Sequence, residues 1–293
     1  MLIEQKLQNK DLFSKNEIDV AQYLYQNKQN IKKLSITQIS KETYTSASTT
    51  VRLCQKLGFK GFKEFKDAFQ EEQEYLLTHF ENIDPNIPFT EKNTIQEISS
   101  IIATLLKDSI TDTLELLHHD SLQKATLTLD KAETIYIFAI TNTASITYDF
   151  QYKMKYLNKK VVIVDNPELF PFTLDTVKKE DCCIFISYSG ETFFMPLVKK
   201  RLYNKNFPVI SVTSLGDNSL LKMSDIHLFI STREKLSSKI GHYVSNESIH
   251  YILDVLYSCI FSMNYQKNLE RKFEFAKEID FERFSSTSIL QEE

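Results

Sequence analysis

The stretch Ser187-Tyr188-Ser189-Gly190-Glu191-Thr192 sets three hydroxyls around one glycine, directly after the apolar run Cys182–Ile186. A buried strand that opens through such a loop into a helix offers unpaired backbone N–H groups. With the hydroxyls, these suit an anion such as a phosphate ester. The loop holds no lysine, so it is not a nucleotide-type P-loop. The same spacing also fits hydroxyls that only cap the next helix.

A second concentration of chemistry lies near the N-terminus. Residues 28–66 carry nine basic side chains against two acidic ones, in a chain of 293 residues whose formal net charge is −4. One compact basic segment in an acidic chain is an electrostatic footprint for a polyanion, and equally a lysine-rich solvated surface. Ser14-Lys15-Asn16-Glu17 and Ser35-Ile36-Thr37-Gln38 have capping-box form, and each predicts a helix. The second helix breaks near Tyr44-Thr45, Ser46 caps a third over Ala47–Leu57, and Gly58 stops it. Two short helices joined by a few residues fit helix-turn-helix spacing.

On that third helix, Val51, Cys54 and Leu57 are expected to pack inward, and Thr49, Arg52 and Lys56 to point outward together. Small hydroxyls, an Arg and a Lys on one helix face suit a major groove. The expected DNA-contacting set is Ser46, Thr49, Thr50, Arg52 and Lys56, with Lys60 and Lys63 on backbone phosphates. Phe59, Phe62, Phe65 and Phe69 supply the core behind them.

Downstream, Asn82–Asn93 has the turn composition of a linker, and Thr94-Ile95-Gln96-Glu97 is another capping box. The helix it opens carries an apolar stripe from Ile95 to Leu117, which serves either its own core or a dimer seam. From residue 134, short apolar runs alternate with amphipathic stretches. Strands are expected at Ile135–Ile140, Val161–Val164, Cys182–Ser187, Val209–Thr213 and Ile226–Ile230, with helices at 144–158, 192–205 and 245–264. That alternation predicts a doubly wound α/β domain with a central parallel sheet, whose ligands bind beyond the strand C-termini.

Two runs carry a resemblance. Val51-Arg52-Leu53-Cys54-Gln55-Lys56-Leu57-Gly58-Phe59-Lys60-Gly61-Phe62, with Phe13–Glu17 and Leu34–Ile36, resembles the N-terminal domain of the RpiR-type bacterial transcription regulators. Ile186–Thr192 resembles the signature of the sugar isomerase (SIS) domain, a phosphosugar-binding α/β fold that follows the helix-turn-helix in that family. The resemblance implies a regulator of sugar metabolism that binds operator DNA and a phosphorylated sugar effector, with Ser187, Ser189 and Thr192 on the phosphate. One departure stands out. These domains usually show G-x-G-x-S after the first strand, whereas this chain has Ala139-Ile140-Thr141-Asn142-Thr143. Thr143 is left with the hydroxyl role, and backbone close to the ligand loses its glycines.

An aldose–ketose isomerase on this fold would need a carboxylate base and usually a His. Glu247 and His250 at i, i+3, with His242 upstream, are the available parts, and a helix-surface pair is the plainer account of them. A sensor without catalytic residues is therefore preferred to a sugar-phosphate isomerase, and a scaffold that has lost its ligand is a third alternative. No metal or cofactor is expected. His118, His119 and His227 lack partners at metal spacing, and the four cysteines form neither a disulfide framework nor a C-x-x-C. The longest apolar run has six residues, against roughly 20 for a membrane span. The expectation is a cytoplasmic homodimer or homotetramer with a helix-turn-helix domain at 1–80, a linker at 81–93, a SIS domain at 94–264 and a tail at 265–293.

Overall fold

The computed structural model describes residues 3–9, 12–77 and 83–280. The chain divides into two compact units. The first comprises residues 1–112, 214–218 and 231–244, and the second residues 113–213, 219–230 and 245–293.

The first unit begins with five helices: α1 (Ile3–Gln8), α2 (Lys15–Gln26), α3 (Ile36–Glu42), α4 (Ala47–Lys56) and α5 (Phe62–Leu77). Their shared core holds Val20 and Leu24 of α2, Ile39 of α3, Leu53 and Cys54 of α4, and Phe65 and Phe69 of α5, none more than slightly exposed. The phenylalanines stack through one another, with Phe65 set 5.6 Å from Phe59, 6.2 Å from Phe62 and 5.4 Å from Phe69. The first of the two capping boxes forms, and the second forms in half. The Glu17 carboxylate accepts the Ser14 N–H at 2.8 Å, and Ser35 Oγ accepts the Gln38 N–H at 3.2 Å.

A long helix, α6 (Ile95–Leu116), follows the segment expected as a linker. That segment is tied down locally. Asn86 is buried, its Oδ1 accepts the Lys235 N–H at 2.6 Å, and its carbonyl accepts the Ile240 N–H at 3.0 Å. The loop 231–242 also carries two buried ion pairs, Arg233 with Asp112 and Lys239 with Glu234. Glu234 in addition receives the Val244 N–H at 2.7 Å.

The second unit holds the expected parallel sheet. It contains α7 (His119–Lys131), β1 (Thr134–Phe138), α8 (Thr141–Tyr156), β2 (Lys160–Val164), α9 (Phe170–Leu174), β3 (Cys182–Ile186), α10 (Met195–Tyr203), β4 (Val209–Ser214), α11 (Ser219–Met223) and β5 (Ile226–Ile230). Helices α12 (Tyr243–Met263) and α13 (Tyr265–Asp280) close it. The strand order is β2-β1-β3-β4-β5, with β1 parallel to both β2 and β3, and β3 parallel to β4.

Alternation along the strands feeds two cores. Ile135, Ile137, Cys182, Ile184 and Ile186 meet α7, α8 and α12 on one face. Phe138, Cys183 and Phe185 meet α9, α10 and α11 on the other. The adjacent cysteines thus point to opposite faces, and burial pushes the Cys182 thiol up to about 12. Both are inert core residues.

Candidate functional site

In a sheet ordered 2-1-3-4-5 the chain changes direction between β1 and β3, and a crevice opens there beyond the strand C-termini. The first turn of α8, Thr141–Thr143, and the Ser187–Thr192 loop leave these two strands on that side. The two stretches singled out for chemistry are therefore brought to neighbouring strand ends.

The β3 loop is held from several sides. Ser187 is buried, and its N–H donates to Val212 at 3.1 Å. Thr213 Oγ1 donates to the Tyr188 carbonyl at 3.3 Å, and the Leu220 N–H reaches the Gly190 carbonyl at 3.2 Å. Glu191 leans away to accept the Ser219 N–H at 2.6 Å. Gly190 turns the chain with φ +64°, a conformation glycine adopts freely. Inside the loop, Ser187 Oγ accepts the Gly190 N–H at 3.1 Å and contacts the Thr192 hydroxyl, while Ser189 Oγ accepts the Glu191 N–H at 3.2 Å.

The helix after this loop starts later than expected. Residues 193 and 194 form a turn closed by the Met195 N–H on the Thr192 carbonyl at 2.8 Å, and α10 begins at Met195 with Pro196 in its first turn. The helix expected from 192 is corrected accordingly, because Pro196 has no N–H to extend an α-turn backwards. Thr192 is thus a loop hydroxyl. An anion here would meet hydroxyls and loop N–H groups, with no cationic side chain in either loop.

The glycine-less start of α8 keeps the backbone that glycine would favour, and the helix begins at 141 rather than at the expected 144. Thr141, where the second glycine of G-x-G-x-S would stand, has φ +54°. A β-branched residue in the left-handed region is strained by roughly 1–2 kcal/mol. Thr143 is half-buried, and its hydroxyl donates to the Ile140 carbonyl at 2.6 Å. Beside it Asn142 Nδ2 donates to Asn246 Oδ1 of α12 at 2.7 Å. Both asparagines were missed in the sequence; only a contact across 104 residues places them together.

Of the parts singled out for an isomerase, His250 is engaged by carboxylates other than Glu247. The His250 ring lies 3.4 Å from Asp149 and 3.9 Å from Asp254, along a seam where Lys153 bridges the same two carboxylates at 2.6 and 2.5 Å. These three ligand-type residues have metal-like proximity, within 4.8 Å of one another, but the lysine ammonium already lies between the carboxylates. On Asp149, the Lys153 hydrogen bond outweighs the opposing cost of burial and holds the carboxyl below its ordinary range.

On the basic face, the structure corrects the phase of α4. Thr49 and Thr50, expected to face DNA, are buried at 3% and 0% exposure, packed with Leu53, Cys54 and Leu57. The exposed face is instead Ser48, Arg52 and Gln55, with Ser46 at its start. Ser46 Oγ bonds the hydroxyls of Ser48 at 2.7 Å and Thr49 at 2.9 Å. Lys56 is partly exposed but engaged, its ammonium 2.6 Å from the buried Glu17 carboxylate. Burial would raise that carboxyl, yet the hydrogen bonds from Lys56 and Ser14 win and its pKa is lowered. Lys60 and Lys63 are exposed. Gly58, at φ +98°, ends the helix, with the Phe59 N–H on the Cys54 carbonyl and its own N–H on Gln55.

Residues 1–75 match the helix-turn-helix domain of the rpiR family, and residues 128–258 match the SIS domain. The chain thus joins a helix-turn-helix of the rpiR family to a SIS domain, the make-up of a transcriptional regulator. It is 25% identical over 253 residues to an uncharacterized HTH-type transcriptional regulator of Caldanaerobacter subterraneus subsp. tengcongensis, covering 86% of this chain and 88% of that one. It is 23% identical to the HTH-type regulator YbbH of Bacillus subtilis, over 83% of this chain and 84% of the relative. In structure it resembles the Vibrio vulnificus NanR protein complexed with ManNAc-6P, with a TM-score of 0.61 at 21% identity over 97% of this chain and all of that one. The sugar isomerase domain of an RpiR transcription factor from Sphaerobacter thermophilus aligns over 62% of this chain and 99% of that one, with a TM-score of 0.53 at 14% identity.

This transcriptional regulator thus places a DNA-binding helix-turn-helix before an α/β SIS domain, and among its described residues no helix is long and apolar enough to cross a membrane. Ser48 and Gln55, absent from the expected contact set, belong to the outward face of α4. The signal for them was available: with Leu53, Cys54 and Leu57 set inward, positions 49 and 50 fall one turn earlier on the same face.

Proposed function

We propose that this transcriptional regulator controls genes of sugar metabolism by binding a phosphorylated sugar in the β1–β3 crevice of its SIS domain. The observation that carries the reading is the joint position of the two hydroxyl loops at the reversal of strand order. A dianionic phosphate there would sit on Ser187, Ser189 and Thr192 and loop N–H groups, with Thr143 contributing from the first loop. The retained left-handed backbone at Thr141 supports a loop still shaped for a ligand. The NanR neighbour, complexed with a phosphosugar, supports the same class of effector.

In this reading the protein works in the cytoplasm without catalysis, and the DNA contacts come from Ser46, Ser48, Arg52 and Gln55, with Lys60 and Lys63 on phosphates. It acts as a homodimer or homotetramer, because one helix-turn-helix reads a half-site. Helix α6 supports this. Leu105 of its apolar stripe is fully buried, while Ile98, Ile101, Ile102, Leu106 and Ile110 are only partly covered and Ile95 is 90% exposed.

Calorimetry with hexose, hexosamine and pentose phosphates tests the effector, on wild type and a Ser187→Ala/Ser189→Ala double variant. Phosphosugars should bind wild type far more tightly than their unphosphorylated forms, and the double variant should lose that preference. Absence of binding to every phosphosugar, or binding untouched by the double change, refutes the sensor reading.

A further inference from the structure

Helices α3 and α4 end in the same way, but with different residues in the left-handed position. After α4, Gly58 takes the left-handed position and the next N–H, of Phe59, returns to the Cys54 carbonyl. After α3, the residue in that position is Tyr44, with φ +52°, and the next N–H, of Thr45, returns to the Ser40 carbonyl at 3.1 Å. Glycine is the usual occupant of this position because a Cβ crowds the backbone there. Tyrosine is an unfavourable choice, and some contact of the ring or hydroxyl would ordinarily offset it. Here none does. Tyr44 is 96% exposed, and among the described residues its ring stacks on nothing and its hydroxyl bonds to nothing.

The position matters as much as the strain. Tyr44 lies in the turn of the helix-turn-helix, two residues before Ser46, the N-cap of the helix whose exposed face carries Ser48 and Arg52. Hydroxyl side chains at the start of such a helix reach phosphate oxygens, and tyrosine is among the residues that do so. We propose that Tyr44 is a DNA-contacting residue, its phenol donating a hydrogen bond to a backbone phosphate beside the N-terminus of α4 and its ring lying along the adjoining sugar edge. The strained turn holds the phenol out in solvent for that contact. This inference rests on the DNA-binding reading of the N-terminal domain and adds to it a residue outside the recognition helix. As a phosphate contact, it should strengthen binding to all sequences alike.

The test uses the full-length protein and a fluorescent random-sequence duplex at low salt, measured by anisotropy, with thermal melting of the same samples. Tyr44→Phe keeps the ring and should weaken binding about three- to ten-fold, the loss of one hydrogen bond. Tyr44→Gly should weaken it at least as much, yet melt no lower than wild type, since glycine relieves the turn. That opposite movement of binding and stability separates a contact from a structural role. Wild-type binding with both variants unchanged overturns the proposal for Tyr44 and leaves the DNA-binding reading intact. A Tyr44→Gly protein that binds weakly because it melts several degrees lower also overturns it. Failure of wild type to bind any duplex overturns both.

Discussion

Replacing Thr141 by glycine should stabilise the SIS domain, although it deletes a side chain and adds backbone freedom. Thr141 opens α8 at φ +54° and is exposed, so it buries no apolar surface to lose. Relief of the left-handed strain contributes about 1–2 kcal/mol. The added freedom of glycine in the unfolded chain opposes this by about 0.5–1 kcal/mol. The one side-chain bond lost, Thr141 Oγ1 to Asn142 Oδ1 at 3.1 Å, is exposed and contributes little. The net expectation is a gain of about 0.5–1 kcal/mol, or roughly 1–4 °C for a domain of this size. The control is Thr143→Gly, two residues on. It has no strain to relieve, loses the 2.6 Å bond to the Ile140 carbonyl, and places glycine in a helix turn. That change should cost about 1 kcal/mol. Urea unfolding of both variants followed by near-ultraviolet signals measures the difference, which should be about 1.5–2 kcal/mol between them. If Thr141→Gly destabilises as much as Thr143→Gly, the strain argument is wrong.

Other expectations follow from the helix-turn-helix unit. Thr50→Val should stabilise it by about 1 kcal/mol, because Thr50 Oγ1 is buried without a hydrogen-bond partner among the described residues; a lower melting temperature would contradict this. Glu17, its pKa lowered in the folded state, contributes stability above the ordinary carboxylate range that disappears as pH falls through its folded value. In Lys56→Met that acid-side slope should shrink, and an unchanged pH–stability profile would argue against the ion pair. Arg52→Ala should cost about 1–3 kcal/mol on a specific operator and relax sequence preference, whereas Lys63→Ala should weaken all duplexes alike and flatten the salt dependence. Equal effects of the two changes on random DNA would remove Arg52 from base recognition.

Local signals in the sequence were enough for the elements. Gly58, the serine caps and the phenylalanine spacing set the helical unit, because caps and apolar period act within a few residues. Five apolar runs separated by helices likewise specified an α/β sheet, since only a parallel sheet covered on both faces buries such runs. The hydroxyl loop was legible as a motif for the same reason.

What the tertiary structure decided were matters of facing and company. The phase of α4 turned on packing against α2 and α5, which drew Thr49 and Thr50 inside and left Ser48 and Gln55 in solvent. A helix with hydroxyls on several sides is nearly degenerate in hydrophobic period, so neighbouring helices choose its buried face. Lys56 found Glu17 across 39 residues, and Asn142 found Asn246 across 104. Neither pairing has a local signature. The strand order that sets β1 beside β3, and so brings Thr143 and the Ser187–Thr192 loop to neighbouring strand ends, is likewise a property of chain crossings. Short-range chemistry selects each element, but long-range packing selects which of its residues meet, because those contacts close over distances that no window of sequence spans.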